Sequence, residues 1–384
     1  MPEPRPATPR KAAPARSASR KAARYPQNLP PPVLVEVRRA GIIESRHRGH
    51  VVQVNANGDL EMVIGDPEVE VTLRSAVKPF ALVALMESGA ADAMRLSNDE
   101  LAVMAASHTG EDRHVRTLQA MFRRAGVSQS LLACGPGAPS DRITAQRLAR
   151  DGEEPGPLRH QCSGFHAASL LLSRHADWSL EDYDDFDHPS QKAVREVVAR
   201  LFGVSVKALK TGIDDCGLAT YAFPLADVAR AFVLLADPEG ATEGDPVKAR
   251  SVPALKRIRD AMMAAPELVG GSDGPLDTVL MKRKPGQLVA KGGAEGLRGI
   301  GLLAGARGAG RPSAGVAVRI EDGDGFARAN RAVTVESLAQ LDVFSPRELQ
   351  ALSAQHRPIT RAPDGRIAAE TVPSFQLAPI SELV

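Results

Sequence analysis

The chain has 384 residues, 43% of them hydrophobic and 24% charged, with a formal net charge of +2. That is ordinary globular composition. Aromatic residues make up only 4%, which excludes a base-stacking nucleic-acid platform.

No window approaches the ~18 consecutive apolar residues of a membrane span. Three cysteines do not make a disulfide framework. The expectation is a cytoplasmic protein with neither nucleic-acid nor membrane partners. Charge is uneven. Residues 1–24 hold seven Lys/Arg against one acid, Glu3, so the remainder is mildly acidic. This tail lacks the apolar core of a secretory signal. Residues 1–32 are rich in Pro, Ala and Arg and read as a disordered extension.

Ordered patterning begins at Val33. Val33–Val37 reads as a strand, and Val51–Asn55 with Leu60–Ile64 flank Asn57-Gly58, a hairpin signal. Ser75 to Gly89 then carries helical spacing. Ser97 and Glu100 fit a capping box before Leu101–Ser107. Arg113–Ala125, Ser163–His175, Gln191–Phe202 and Ala226–Leu235 read as helices, and Val252–Leu268 as one long helix. Leu218–Pro224, Gln287–Lys291, Gly299–Ala304 and Gly315–Ile320 read as extended runs before a helix at Ala327–Leu341. Strands at both ends of a helical middle imply an α+β fold, its sheet assembled from both chain ends. One folded domain is expected at 33–345, and residues 346–384 read as a polar, weakly patterned C-terminal extension.

Four clusters could carry chemistry. Ser75 and Lys78 stand three apart, so a helix puts them on one face. A neutral lysine can take the serine's proton, provided burial or a second cation lowers its pKa. Read alone, the pair is better taken as a plain helix cap, Ser75, followed by a solvated Lys78. Ser107, in Ser107-His108-Thr109-Gly110-Glu111, is a second hydroxyl at a helix end. Cys162 and Cys216 each sit beside potential ligands. Two thiolates and a third donor would make an open zinc site; two inert core cysteines fit the same pattern. Lys291 precedes Gly292-Gly293, where the backbone can approach a ligand closely.

In order, the motifs are Glu44-Ser45 with His47; Arg74 to Phe80; Ser107 to Glu111; Cys162-Ser163-Gly164; Gly212-Ile213-Asp214 with Cys216-Gly217; and Lys291 to Gly296. Together they resemble the Rhizobium-type L-asparaginase family, class 3 or asparaginase II. The resemblance implies a serine β-lactamase-like fold and a homodimer that hydrolyses L-asparagine, its small-molecule partner, to L-aspartate and ammonia. It implies two Ser–Lys pairs, Ser75 with Lys78 and Ser107 with Lys291. It also implies zinc near the site through Cys162 and Cys216, with Asp214 close by, and no organic cofactor. Arg74 and His166 adjoin the motifs and are expected at the substrate's carboxylate.

Three positions depart from the family pattern. Phe165 stands where a zinc-ligating Lys is usual, and an aromatic ring cannot ligate zinc. Asp215 replaces a Gly, and Ala81 a Gln. Hydrolysis is therefore expected to persist while metal binding weakens. Two alternatives stay open: hydrolysis of another, more apolar small amide, and a silent amino-acid sensor.

Overall fold

A computed structural model describes residues 30–382 apart from Phe326. Most of the basic tail read at 1–32 thus lies outside the described residues.

Strand β1 (Val33–Arg39) turns into β2 (Ile42–Asn55). The turn residues Ala40 and Gly41 both have positive φ, 48° and 81°, as tight hairpin turns require. Only the second half of β2 was expected. Its first half is polar and its turn lacks Asn-Gly, so no pattern marks it. The Asn57-Gly58 turn leads to β3 (Leu60–Ile64) as expected. β2 is long enough to serve two neighbours on one side: β1 along residues 42–48 and β3 along 51–54.

A small sheet holds β4 (Glu70–Thr72), β5 (Lys210–Ile213) and β6 (Ala219–Pro224) in the order β4-β6-β5. The chain returns to the large sheet with β7 (Leu288–Gly292), β8 (Leu297–Leu302) and β9 (Ala314–Ile320), and β9 pairs with β2. β10 (Ile359–Arg361) and β11 (Ile367–Pro373) extend it beyond β1, and β12 (Ala378–Pro379) pairs with β3. The large sheet runs β10-β11-β1-β2-β9-β8-β7, all neighbours antiparallel. The fold is α+β, with an antiparallel sheet drawn from both chain ends.

One reading of the C-terminal stretch needs correction. Beyond residue 345 the chain was expected to be weakly patterned, yet β11 pairs with β1 from Val35 to Arg38. β10 is the edge strand and β11 the next one in, where few side chains are covered; β10 is exposed throughout and in β11 only Ala369 and Thr371 are buried. Strands of that kind carry little hydrophobic signal.

The helix Leu225–Ala236 lies against β8 and β9, and glycines set its distance. Gly301 and Gly315 are cross-strand partners. A Cβ on Gly315 would stand 2.0 Å from the Ala229 carbonyl oxygen, and one on Gly299 1.9 Å from the Phe232 ring. Gly315→Ala is expected to destabilise the fold by about 3 kcal/mol through overpacking. Urea unfolding measures this, and an unchanged midpoint would refute the close approach.

The helical middle separates β4 from β5. Helix Asn98–Met104 carries the expected Ser97–Glu100 capping box. The helix expected from Ser75 to Gly89 is broken into a 3-10 turn, Arg74–Val77, and two short helices, Lys78–Ala81 and Val83–Glu87. The long helix expected from Val252 ends at Ala264, because Pro266 disfavours helical backbone at Ala265. Helices Arg142–Asp151 and Leu276–Arg283 were not anticipated.

Candidate active site

Ser75 follows a strained residue. Arg74 has φ 48°, a left-handed conformation costly for a side chain of its kind. It is held from both ends. Its N–H donates to Thr220 Oγ1 at 2.9 Å, and its guanidinium donates to Asp214 Oδ1 at 2.7 Å and Asp215 Oδ2 at 2.5 Å. Arg74 thus ties the β5–β6 turn to the residue before Ser75.

Ser107 leaves the end of helix Asn98–Met104 on a strip stitched to two other segments. Ser107 N–H donates to Val269 O, His108 N–H to Gln161 O and Thr109 N–H to Gly270 O. His108 is fully buried and its Nδ1 accepts from Gly110 N–H. The ring proton is therefore on Nε2, donated to Ser163 Oγ at 2.9 Å. Burial holds His108 well below the usual histidine range, in the neutral form this geometry needs.

Both lysines converge on Ser107. Lys291 Nζ lies 3.0 Å from Ser107 Oγ and donates to Gly292 O at 2.6 Å. Lys78 Nζ lies 3.2 Å from the same hydroxyl, 3.2 Å from Cys162 Sγ and 2.7 Å from Ala106 O. Each lysine is only 1% exposed. Burial first, and the Lys78 cation second, push Lys291 well below the ordinary lysine range. The expected pairing is thus altered. Lys78 reaches Ser107, while Ser75 Oγ makes no hydrogen bond among the described residues, although Ser75 lines the same cavity.

Cys162 and Cys216 do meet. A hydrogen bond from Cys216 pulls the Cys162 thiol down, helped by Lys78 and His160, while the same bond and burial push Cys216 up. Gly164 lets the helix that follows Cys162 lie close against helix Asn98–Met104: a Cβ there would stand 2.0 Å from Val103 O. The donors do not suit zinc. Asp214 and Asp215 are committed to Arg74, and the Lys78 cation sits on Cys162 where a metal would have to approach. Among the described residues no three of His, Cys, Asp and Glu are grouped to hold a metal. Phe165 is absent from the cavity wall that includes Ser75; its ring lies 5.9 Å from Lys78 Nζ, centroid to nitrogen, and lines a small void with Ala81. Two departures from the family pattern therefore adjoin, one side chain larger and the other smaller.

These groups border a cavity of about 400 Å³, small for a ligand site. Its wall includes Arg74, Ser75, Ser107, Cys162, Asp214, Cys216 and Lys291. His166 is a correction. It is fully buried off that wall, its Nδ1 2.6 Å from Tyr183 Oη.

The family model described as L-asparaginase II matches residues 35–372. The chain belongs to that family. No curated protein matches. Among solved structures, a probable glutaminase from Bacillus subtilis is 11% identical, with a TM-score of 0.36, covering 77% of this chain and 88% of that one. A structure titled Mglu, in its tris and glutamate form, is 14% identical with a TM-score of 0.34, covering 82% of this chain and 64% of that one.

This member of the L-asparaginase II family has further cavity residues that its motifs do not reveal. Asp277, 9% exposed, accepts from Gly292 N–H at 2.8 Å and from Arg298, fixing the strand end that carries Lys291. A lone charge within the apolar run Leu276 to Leu280 was the available signal. His47, from the first motif, is not on the cavity wall. Its Nε2 accepts from Arg328, so Nδ1–H donates to Asp322 at 2.7 Å. That bond steadies the loop before helix Ala329–Gln340.

Proposed function

We propose that this chain is an L-asparagine amidohydrolase in which Ser107 is the nucleophile and Lys291 its base. The observation that carries this is the convergence of both lysine nitrogens, at 3.0 and 3.2 Å, on one hydroxyl. A lysine depressed by burial and a neighbouring cation is neutral often enough to accept a proton. Lys291 Nζ takes the Ser107 proton as Oγ attacks the side-chain amide carbon. The Lys291 ammonium then protonates the leaving nitrogen, releasing ammonia and an acyl-enzyme. Water attacks that ester as Lys291 takes its proton; the C–Oγ bond breaks, Lys291 returns the proton to Ser107 Oγ, and aspartate leaves. Lys78 places positive charge beside the oxygen that loses its proton. Ser75 remains available to hydrogen-bond the substrate.

The family and the retained site residues support an amide substrate. Phe165, off the cavity wall, gives no support to a more apolar one. The experiment is ammonia release from L-asparagine and L-glutamine by the purified chain. No release from either, by protein shown to be folded, would sink the proposal.

No step passes through a metal. The expected zinc content of the purified protein is well below one ion per chain, and a chelator should leave ammonia release unchanged. Stoichiometric zinc by elemental analysis would overturn that expectation. The proposal includes a homodimer in a cytoplasmic setting, and sedimentation of the purified chain tests the dimer. Among the described residues no helix is long and apolar enough to cross a membrane.

A further inference from the structure

We infer that Arg331 anchors a carboxylate on the substrate, so that this site takes amides carrying a carboxylate near the reacting carbonyl. The inference rests on the amidohydrolase reading and adds to it the means of recognition.

It follows from which charges in the cavity are already matched. Arg74 is committed to Asp214 and Asp215. Arg298 is committed to Asp277 and to Asn330 Oδ1. Lys291 is held at Ser107 and Gly292 O. Arg331 lines the same cavity, yet among the described residues it has no hydrogen bond and no ion pair. It is half-buried, so it is not an ordinary surface arginine in full solvent.

Its placement is unfavourable without an anion. Arg331 is the third residue of helix Ala329–Gln340, where the helix dipole opposes a cation. Its neighbour Arg298 is a second buried cation, and repulsion from Arg331 helps burial pull Arg298 down to about 10. The backbone amides of this helix end do not supply the recognition. Those of Arg328, Ala329 and Asn330 already donate to Asp324. Two side-chain charges on the lining remain unmatched among the described residues, the exposed Glu295 carboxylate and the half-buried Arg331 guanidinium, and the guanidinium's planar fork fits a carboxylate through two parallel hydrogen bonds. L-Asparagine offers such a group, and its decarboxylated analogue, 3-aminopropanamide, does not.

The test compares these two amides with the wild type, Arg331→Ala and Arg331→Lys. Arg331→Ala is expected to lower kcat/KM for L-asparagine by about 100-fold, mostly through KM. Its kcat/KM for 3-aminopropanamide should stay within about threefold. Arg331→Lys should recover part of the loss. An equal fall for both amides, or no fall for L-asparagine, would overturn the inference. If the wild type hydrolyses neither amide, the amidohydrolase reading fails, and calorimetric binding of L-aspartate decides the anchor by itself. Binding weakened at least tenfold in Arg331→Ala would support it. Equal binding, or none to the wild type, would overturn it.

Discussion

Ser107→Ala is expected to reduce ammonia release from L-asparagine by roughly 10⁴-fold, whereas Ser75→Ala should cost about 10²-fold or less. The difference follows from who holds which proton. Ser107 Oγ has a lysine nitrogen on either side, at 3.0 and 3.2 Å. Removing it leaves two buried lysines facing each other with no group to activate. Ser75 has no such base: Lys78, three residues on, turns inward to Ala106 and Cys162. Losing Ser75 therefore costs a contact to substrate, not the attacking atom. Steady-state kinetics on the two variants separates the cases. The opposite ranking would make Ser75 the nucleophile and Ser107 a relay between lysines.

The second large effect is on pH dependence. With Lys291 as base, kcat/KM should rise tenfold per pH unit at low pH and level off once Lys291 is neutral. The Lys78 cation is one cause of the depression, after burial. Lys78→Met should therefore let Lys291 hold its proton to higher pH, moving the rising limb upward. At pH 7 the variant loses rate, and at alkaline pH it recovers part of it. A limb that stays in place would exclude Lys291 as the base. The same depression acts on stability. Between the lowered folded value and the ordinary lysine range, the unfolded chain binds a proton that the folded chain does not. Stability therefore rises with pH across that window. Denaturant midpoints should climb with pH in the wild type and climb less in Lys291→Met.

Much of the site could be read in the sequence because its residues sit in short, ordered motifs. Ser107, Lys291, Cys162 and Cys216 all reach one cavity. What local spacing could not give was the partner of each group. The Ser75–Lys78 spacing assumes a regular helix, but Arg74 is left-handed and a 3-10 turn follows it. Lys78 is then fixed by residues 28 and 84 positions away. Arg331 shows the same limit. In sequence it is one more arginine in a helix; only the fold reveals that Asp214, Asp215, Asp277 and Asp324 already have other partners. His166 misled for a related reason, since adjacency to Cys162 along the chain does not decide which way a buried ring faces. Among the folds of the backbone, Asn57-Gly58 and the Ser97 cap were legible because their signals are local. β10 and β11 were not, because at this end of the sheet a strand's main partner is another strand's backbone.

The way β1 is flanked bears on how the chain is made. One neighbour, β2, follows within a few residues, but the other, β11, ends only at Pro373. At ribosomal rates of about 5–20 residues per second, the first hairpin waits on the order of tens of seconds for its outer partner. Throughout that interval the nascent chain offers an unpaired row of amides and carbonyls, a template for other chains. A truncated translation product ending before Ile367 would never close that row, and self-association would be its natural fate.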